Sequence, residues 1–154
     1  MNLFVSKRNL AFLRLYALFF RLMFRSPVYL FVYGTLQPGF PNAFARLLHA
    51  QSRYVGNGAM PGRLFDLGAY PGAVYDPNSP AVVHGAIFAL HKNGAILSRL
   101  DAYEGVSRPP APGDEYVRAR VPVHYAGANL SCWTYLYNGP VADKPPIKSG
   151  RYAG

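Results

Sequence analysis

Glycine and proline recur through the chain from Pro27 onward and leave little room there for long helices. The sequence holds 15 glycines and 14 prolines, and none of them precedes Pro27. Twelve tyrosines and ten phenylalanines accompany them, and aromatic side chains favour strands. This mixture predicts short strands that are joined by tight turns. With 154 residues, the chain is long enough for one domain with a sizeable core.

The order of apolar runs and turn signals predicts an α+β fold. An unbroken apolar and aromatic run over residues 28–33 indicates a buried strand. Two helices are predicted, one that begins after Asn42 and one over residues 93–103, with Asn93 as its N-cap and Gly105 as its stop signal. Several further short strands are predicted, and Pro61-Gly62 separates two of them. We therefore expect a small mixed or antiparallel sheet that closes toward a barrel, with one or two packed helices.

The formal net charge of +9 invites a nucleic-acid interpretation, but the distribution of the charges argues against it. Residues 1–26 contain basic residues and no acidic one: Lys7, Arg8, Arg14, Arg21 and Arg25. Without that segment, 11 basic and 7 acidic residues remain, which is a net charge of +4. These 11 are scattered singly and do not cluster with aromatic residues on one element. We expect no nucleic-acid partner.

The positions of the cysteine and the histidines in the sequence are not typical of a metal-binding site. Cys132 is the only cysteine, so neither an internal disulfide nor a zinc site of several thiolates can form. It lies in a strand-like run beside Trp133 and is expected to be a small buried residue. The four histidines lack metal-ligand spacing. We expect no metal and no cofactor.

Residues 1–26 form a basic, apolar segment, and residues 27–154 are taken as the domain. Lys7, Arg14, Arg21 and Arg25 are spaced by seven, seven and four residues, which places them on one face of a helix. The longest uninterrupted apolar run, residues 15–20, is too short to cross a bilayer. A secretory cleavage site is absent from the segment, and we expect a cytoplasmic protein.

Three interpretations of this segment stay open. The first is an amphipathic helix that lies on a membrane surface or on a partner protein. The second is a transit-like presequence, and the third is an upstream extension of the gene model. We favour the extension, because Met23 lies just before the first strand. Membrane contact is expected only if the amphipathic helix is real.

A loop follows the first predicted strand. It begins with Tyr33, Gly34, Thr35 and Leu36, and the backbone N–H groups of such a loop can point at a ligand. Gly34 has no Cβ, which allows an unusual turn or a close approach of a ligand to the backbone. The alternative is a plain turn at the end of a strand, and spacing alone does not separate the two.

Glu104 stands out among the seven acidic residues. It ends the second predicted helix, between Tyr103 and Gly105. The helix dipole and desolvation beside aromatic rings should both raise the pKa of this carboxyl, which suits a general base that works near neutral pH. The alternative is an exposed glutamate at a fraying helix end. Asp101, late in the same helix, opposes the helix dipole and should have a local partner.

The segment that contains Tyr33 and Gly34 and the segment that contains Glu104 resemble the two signature motifs of the γ-glutamylcyclotransferase-like family. The rest of the domain resembles the small bacterial members of that family. The resemblance covers residues 28–152, and Phe40-Pro-Asn42 is similar to the γ-glutamylamine branch. The segments that carry it are 31–36 (FVYGTL), 62–72 (GRLFDLGAYPG), 83–88 (VHGAIF), 100–105 (LDAYEG), 115–118 (EYVR), 133–137 (WTYLY) and 147–150 (IKSG).

The resemblance implies an intramolecular acyl transfer of the lyase type. The α-amine of a γ-glutamyl substrate attacks its own γ-carbonyl, which yields 5-oxoproline and a free amine or amino acid. Backbone amides of Tyr33, Gly34, Thr35 and Leu36 would hold the α-carboxylate, and Glu104 would be the catalytic carboxylate. Tyr116 is a further candidate, whose hydroxyl would orient the substrate.

Two features depart from the family pattern. Ala86 stands where many relatives carry a glutamate, and the proline-rich segment 107–114 resembles an inserted loop that would narrow the choice of leaving amine. The alternative function is a binding module that holds a small acidic metabolite in the same pocket without turnover. The leaving amine and the oligomeric state are not assigned.

Overall fold

The computed structural model describes residues 7–23 and 26–154, and these ranges contain three α-helices and six strands. The helices are α1 (Lys7–Met23), α2 (Ala43–Ala50) and α3 (Leu97–Glu104). The strands are β1 (Val28–Val32), β2 (Ser52–Asp66), β3 (Pro71–Tyr75), β4 (Val82–Leu90), β5 (Tyr116–Tyr125) and β6 (Ala128–Tyr137).

Five of these strands close into a barrel, as expected for the α+β fold. Strand β1 lies between β4, its antiparallel neighbour, and β6, its parallel neighbour. The sheet continues from β4 to β2 and from β6 to β5. One antiparallel residue pair between β2 and β5, Ala59 with His124, closes the barrel. Strand β3 pairs with β2 outside the barrel.

Strand β1 is apolar on both faces because it separates two cores. Leu30 and Val32 pack into the core that α2 and α3 cover, whereas Phe31 and the following Tyr33 pack inside the barrel. Successive strand residues point to opposite faces, so an unbroken apolar run is what a strand between two cores requires. The buried strand predicted over residues 28–33 is confirmed. Cys132 is fully buried in the barrel core, as expected.

The predicted start of α2 is confirmed, and the predicted start of α3 is not. Asn42 caps α2, because its side-chain oxygen accepts hydrogen bonds from the N–H groups of Phe44 and Ala45 at 2.8 and 3.4 Å. The predicted start of α3 at Asn93 is wrong. Asn93 has φ of +55° inside a 3₁₀ turn, Lys92–Gly94, and the α-helix begins only at Leu97. An asparagine tolerates this left-handed conformation, which interrupts the helix.

The predicted strand break at Pro61-Gly62 is also wrong, since β2 continues through it. The N-terminal part of β2, up to Pro61, pairs with β4, and the part from Gly62 onward pairs with β3. Gly62 has φ of +144°, and a Cβ there would lie 2.1 Å from the carbonyl oxygen of Val74. The dipeptide therefore marks a change of pairing partner within one strand.

Helix α1 presents a row of apolar side chains to solvent. Residues 10–20 are all exposed, and Phe12 and Leu15 are exposed by more than two thirds. Among the helices in the described ranges, none is long and apolar enough to cross a membrane. The expected basic face lies largely outside what the structure describes, because Arg25 and the side chains of Lys7 and Arg21 are not part of it.

Candidate functional site

A cavity of about 310 Å³ opens beside the C-terminal end of β1. It brings together every residue that the sequence proposed for a site. Its lining consists of Phe31, Val32, Tyr33, Gly34, Thr35, Leu36, Ala69, Tyr70, Pro71, Tyr103, Glu104, Glu115, Tyr116 and Tyr135.

The loop after β1 forms one side of the cavity. The N–H of Gln37 donates to the carbonyl of Gly34 at 3.1 Å, and its side-chain amide donates to the carbonyl of Tyr33 at 2.8 Å. Within the described part of the chain, the N–H groups of Gly34, Thr35 and Leu36 donate to no protein acceptor. Three successive residues of the cavity lining thus have backbone N–H groups without a protein acceptor in the described ranges, and successive amides of this kind commonly hold an anion such as a carboxylate.

Gly34 lies in a crowded place and has no unusual backbone angle. A Cβ on this residue would lie 3.1 Å from the ring of Pro71, another residue of the cavity lining. Its φ is outside the left-handed region. The unusual turn expected as one role of Gly34 is therefore absent, and the close approach of a ligand to its backbone stays a prediction.

Glu104 is the last residue of α3 and is partly buried in the cavity wall. Gly105 follows it with φ of +66°, so the stop signal is confirmed. Burial raises the pKa of the Glu104 carboxyl to about 7, and the negative charge of Glu115 contributes to the rise. A raised pKa was expected from the sequence, but the contribution of Glu115 was missed.

Asp101 anchors the helix that carries Glu104. It is 7% exposed and accepts hydrogen bonds from Arg118 Nη1 at 2.9 Å and from the Tyr135 hydroxyl at 2.8 Å. The Nε atom of Arg108 lies 3.6 Å from the other carboxylate oxygen, Oδ2. The local partner expected for Asp101 is confirmed. Arg118 pairs with Asp101 and not with Glu115, three residues before it in the chain, since its side chain is 11% exposed and turned to Asp101.

Two phenols of the cavity wall are engaged in structural hydrogen bonds. Tyr33 donates to the carbonyl of Tyr135 at 2.6 Å and accepts from the N–H of Ala73 at 3.2 Å. Tyr116 donates to the carbonyl of Pro71 at 2.9 Å. Burial raises the pKa of both phenols, so each stays neutral. The Tyr116 hydroxyl can consequently accept a hydrogen bond from a substrate but has no free hydrogen to donate.

Glu115 and Tyr70 are cavity residues that the sequence did not identify as site residues. The Tyr70 hydroxyl lies 3.1 and 3.0 Å from the two carboxylate oxygens of Glu115. The only sequence signal for Glu115 is its position next to Tyr116, at the start of a strand that follows Glu104. Nothing in the sequence by itself connects Tyr70 with Glu115, which lie 45 residues apart.

The loop over residues 107–114 is closed on itself. The Asp114 carboxylate accepts hydrogen bonds from the N–H groups of Ser107 and Ala111 at 2.8 and 3.1 Å, and these bonds lower the pKa of Asp114. No residue of this loop lines the cavity. The expected role of the loop in narrowing the choice of leaving amine has no support in this arrangement.

Metal ligands do not cluster in the described ranges. There, no group of three or more His, Cys, Asp and Glu side chains is placed to hold a metal ion. Cys132 lies in the barrel core, and burial raises the pKa of its thiol to about 12. Its thiol is therefore poorly suited to nucleophilic chemistry.

Solved structures with the same fold come from bacteria and mammals. An aig2-like protein from Mus musculus has a TM-score of 0.63 at 23% identity, and the alignment covers 82% of this chain and 88% of that one. Protein ytfP from Escherichia coli has a TM-score of 0.55 at 29% identity, with coverage of 81% and 96%. YkqA from Bacillus subtilis has a TM-score of 0.61 at 24% identity. The alignment covers 82% of this chain and only 39% of YkqA.

Sequence comparison gives the family directly. No curated protein matches the chain significantly. The sequence profile described as Gamma-glutamyl cyclotransferase, AIG2-like matches residues 30–154, which comprise α2, α3, the whole cavity and all of the barrel except the first two residues of β1. The chain therefore belongs to the gamma-glutamyl cyclotransferase, AIG2-like family.

Proposed function

We propose that this protein cyclises a γ-glutamyl amine or peptide to 5-oxoproline and releases the amine or amino acid. The observation that carries the proposal is the position of Glu104. Its carboxyl, with a pKa of about 7, shares one small cavity with three free backbone amides. A cavity of about 310 Å³ suits one small molecule.

Binding has to bend the substrate so that its two ends meet. The amides of Gly34, Thr35 and Leu36 would hold the α-carboxylate, and the α-ammonium would then face the Glu104 carboxylate. The γ-carbonyl carbon must come within about 3–3.5 Å of the amine nitrogen for attack. Because both reacting groups belong to one molecule, ordering the substrate supplies much of the rate.

Proton transfer is the task of Glu104. Its ionised carboxylate takes one proton from the α-ammonium, and the free amine then attacks the γ-carbonyl carbon. The resulting tetrahedral centre breaks its bond to the leaving nitrogen, which receives a proton from Glu104. The ring nitrogen gives up its second proton, which the released amine takes up as an ammonium ion. A carboxyl with a pKa of about 7 can both accept and return a proton near neutral pH.

This route uses no protein nucleophile, and the composition of the cavity is consistent with that. Among the residues that the structure describes, no Ser, Cys or His lines the cavity, and its only aliphatic hydroxyl belongs to Thr35. The lining also contains no Lys or Arg. A binding module for a small acidic metabolite would favour a cationic side chain here, so the cavity favours the enzyme over that alternative.

The test is a 5-oxoproline assay on a panel of γ-glutamyl amino acids, γ-glutamyl-ε-lysine, other γ-glutamyl amines and glutathione. Release from at least one substrate, with an equivalent amount of amine, supports the reaction. Saturable binding without product over several hours, in a protein shown to be folded, would instead support the binding module.

The pH dependence provides a separate prediction. Glu104 must be ionised to accept the proton, so kcat/KM should fall as the pH decreases through about 7. In Glu115→Gln the acidic limb should move to lower pH, because a negative charge that opposes ionisation of Glu104 is gone. The measurement is kcat/KM between about pH 5 and 8. An acidic limb that stays in place in Glu115→Gln would contradict the predicted coupling.

A further inference from the structure

The acidic and basic side chains that line the cavity are all carboxylates, and this has consequences for the leaving amine. Glu104 and Glu115 are the carboxylates of the lining, and no Lys, Arg or His joins them among the described residues. Nearby arginines are engaged elsewhere. Arg118 is bound to Asp101 at 2.9 Å, and Arg108 and Arg118 lie over the ring of Trp133. The field at the cavity therefore favours a cation.

Glu115 is held in place although it is exposed to solvent. The Tyr70 hydroxyl contacts both of its carboxylate oxygens, at 3.1 and 3.0 Å. This hydrogen bond raises the pKa of Tyr70, so the phenol remains a donor. Tyr70 in turn packs at a tilt against Tyr116, with ring centroids 6.2 Å apart. A carboxylate positioned in this way loses less freedom when it binds a cation.

Tyrosine side chains line the same cavity as this carboxylate. Tyr103 belongs to this lining together with Tyr70 and Tyr116. Its ring stacks on Phe44 at 4.2 Å, and its hydroxyl accepts a hydrogen bond from Asn42 Nδ2 at 2.7 Å. Tyrosine faces attract ammonium groups, so the wall and Glu115 favour the same kind of ligand.

The proposed reaction assigns no role to Glu115. The backbone amides hold the α-carboxylate, and Glu104 faces the α-ammonium. We propose that Glu115, positioned by Tyr70, is a specificity-determining residue that selects γ-glutamyl amines whose leaving amine carries a second, terminal ammonium group. Substrates whose leaving amine ends in a methyl group or a carboxylate are disfavoured. The inference rests on the proposed cyclisation and adds the charge of the leaving group to it.

Three substrates of matched length test this selection. They are the γ-glutamyl derivatives of 1,5-diaminopentane, hexylamine and 6-aminohexanoate, whose far ends are an ammonium, a methyl group and a carboxylate. We expect kcat/KM for the ammonium substrate to exceed that for the methyl substrate by roughly 3–10-fold, with the carboxylate substrate slowest. The preference should shrink at about 0.5 M salt, since Glu115 is exposed and its charge is screened.

Variants assign the preference to one carboxylate. Glu115→Gln should bring the ammonium and methyl substrates within about 2-fold of each other, and Tyr70→Phe should reduce the preference less, because it only frees the carboxylate. Asp143→Asn is the matched control. It removes the same charge from an exposed residue outside the cavity lining and should keep the wild-type preference.

The outcomes separate this inference from the proposed reaction. Equal turnover of the ammonium and methyl substrates by the wild type, or an unchanged preference in Glu115→Gln, overturns the role of Glu115 and leaves the cyclisation intact. If none of the three substrates yields 5-oxoproline, the cyclisation of these amines fails. Equilibrium binding of the same three compounds then decides the inference: tighter binding of the ammonium compound that is lost in Glu115→Gln supports it, and equal binding overturns it.

Discussion

Glu104→Gln is expected to reduce the rate of 5-oxoproline release by about 10²–10⁴-fold while the protein remains folded. Glutamine has nearly the same shape as glutamate, but its amide cannot take the proton from the substrate α-ammonium. The loss should appear in kcat more than in KM, because the backbone amides of residues 34–36 still bind the α-carboxylate. The measurement is product release at saturating substrate, near pH 8.

The stability of the same variant separates a chemical loss from a structural one. The pKa of Glu104 is raised in the folded protein from the ordinary 4.5 to about 7. Folding therefore favours the protonated form, and the ionised carboxylate opposes folding increasingly as the pH rises from about 4.5 to 7. At pH 8, Glu104→Gln should be at least as resistant to urea as the wild type. Full activity in this variant would show that Glu104 is not the base.

Asp101→Ala is expected to lower the free energy of unfolding by about 3–5 kcal/mol, the largest stability loss that we predict. Asp101 accepts two hydrogen bonds, from Arg118 and from the buried Tyr135 hydroxyl. Its removal leaves the guanidinium of Arg118, which is 11% exposed, without its carboxylate. An uncompensated buried charge costs more than the ion pair itself contributes. Urea unfolding followed by circular dichroism measures the loss.

Two comparisons define the origin of that loss. Asp143→Ala breaks an exposed ion pair with Lys144 at 3.8 Å and should cost less than about 1 kcal/mol. Replacing Asp101 and Arg118 together by Leu and Met should recover part of the stability that Asp101→Ala loses, since no buried charge is then left unpaired. A cost of Asp101→Ala similar to that of Asp143→Ala would show that the Arg118 contact is not structurally important.

Several features of the fold could be predicted from short segments because local chemistry decides them. The run over residues 28–33 is apolar or aromatic at every position, as expected for a strand between two cores. Asn42 caps α2 through its own side chain, and Gly105 ends α3 in a left-handed conformation. The raised pKa of Glu104 was also anticipated, from its position at a helix end beside an aromatic residue, and burial is the main cause of the rise.

Two other local signals were misleading. Pro61-Gly62 resembles a strand break, yet β2 continues because β3 takes over the pairing that β4 leaves. Asn93 resembles a helix cap, but its backbone lies in the left-handed region within the 3₁₀ turn that precedes α3.

The sequence by itself determined the buried strand β1, the cap of α2, the end of α3, the family resemblance and six of the residues that line the cavity, namely residues 33–36, Glu104 and Tyr116. Only the tertiary structure decided how their charges are paired. Arg118 is three residues from Glu115 in the chain, yet the barrel turns it to Asp101 and leaves Glu115 with Tyr70 and in the field of Glu104. Alternation along a strand sends neighbouring side chains to opposite faces, and strand closure brings together residues that lie far apart in the sequence. The pairing of charges therefore depends on the closed barrel and not on sequence proximity.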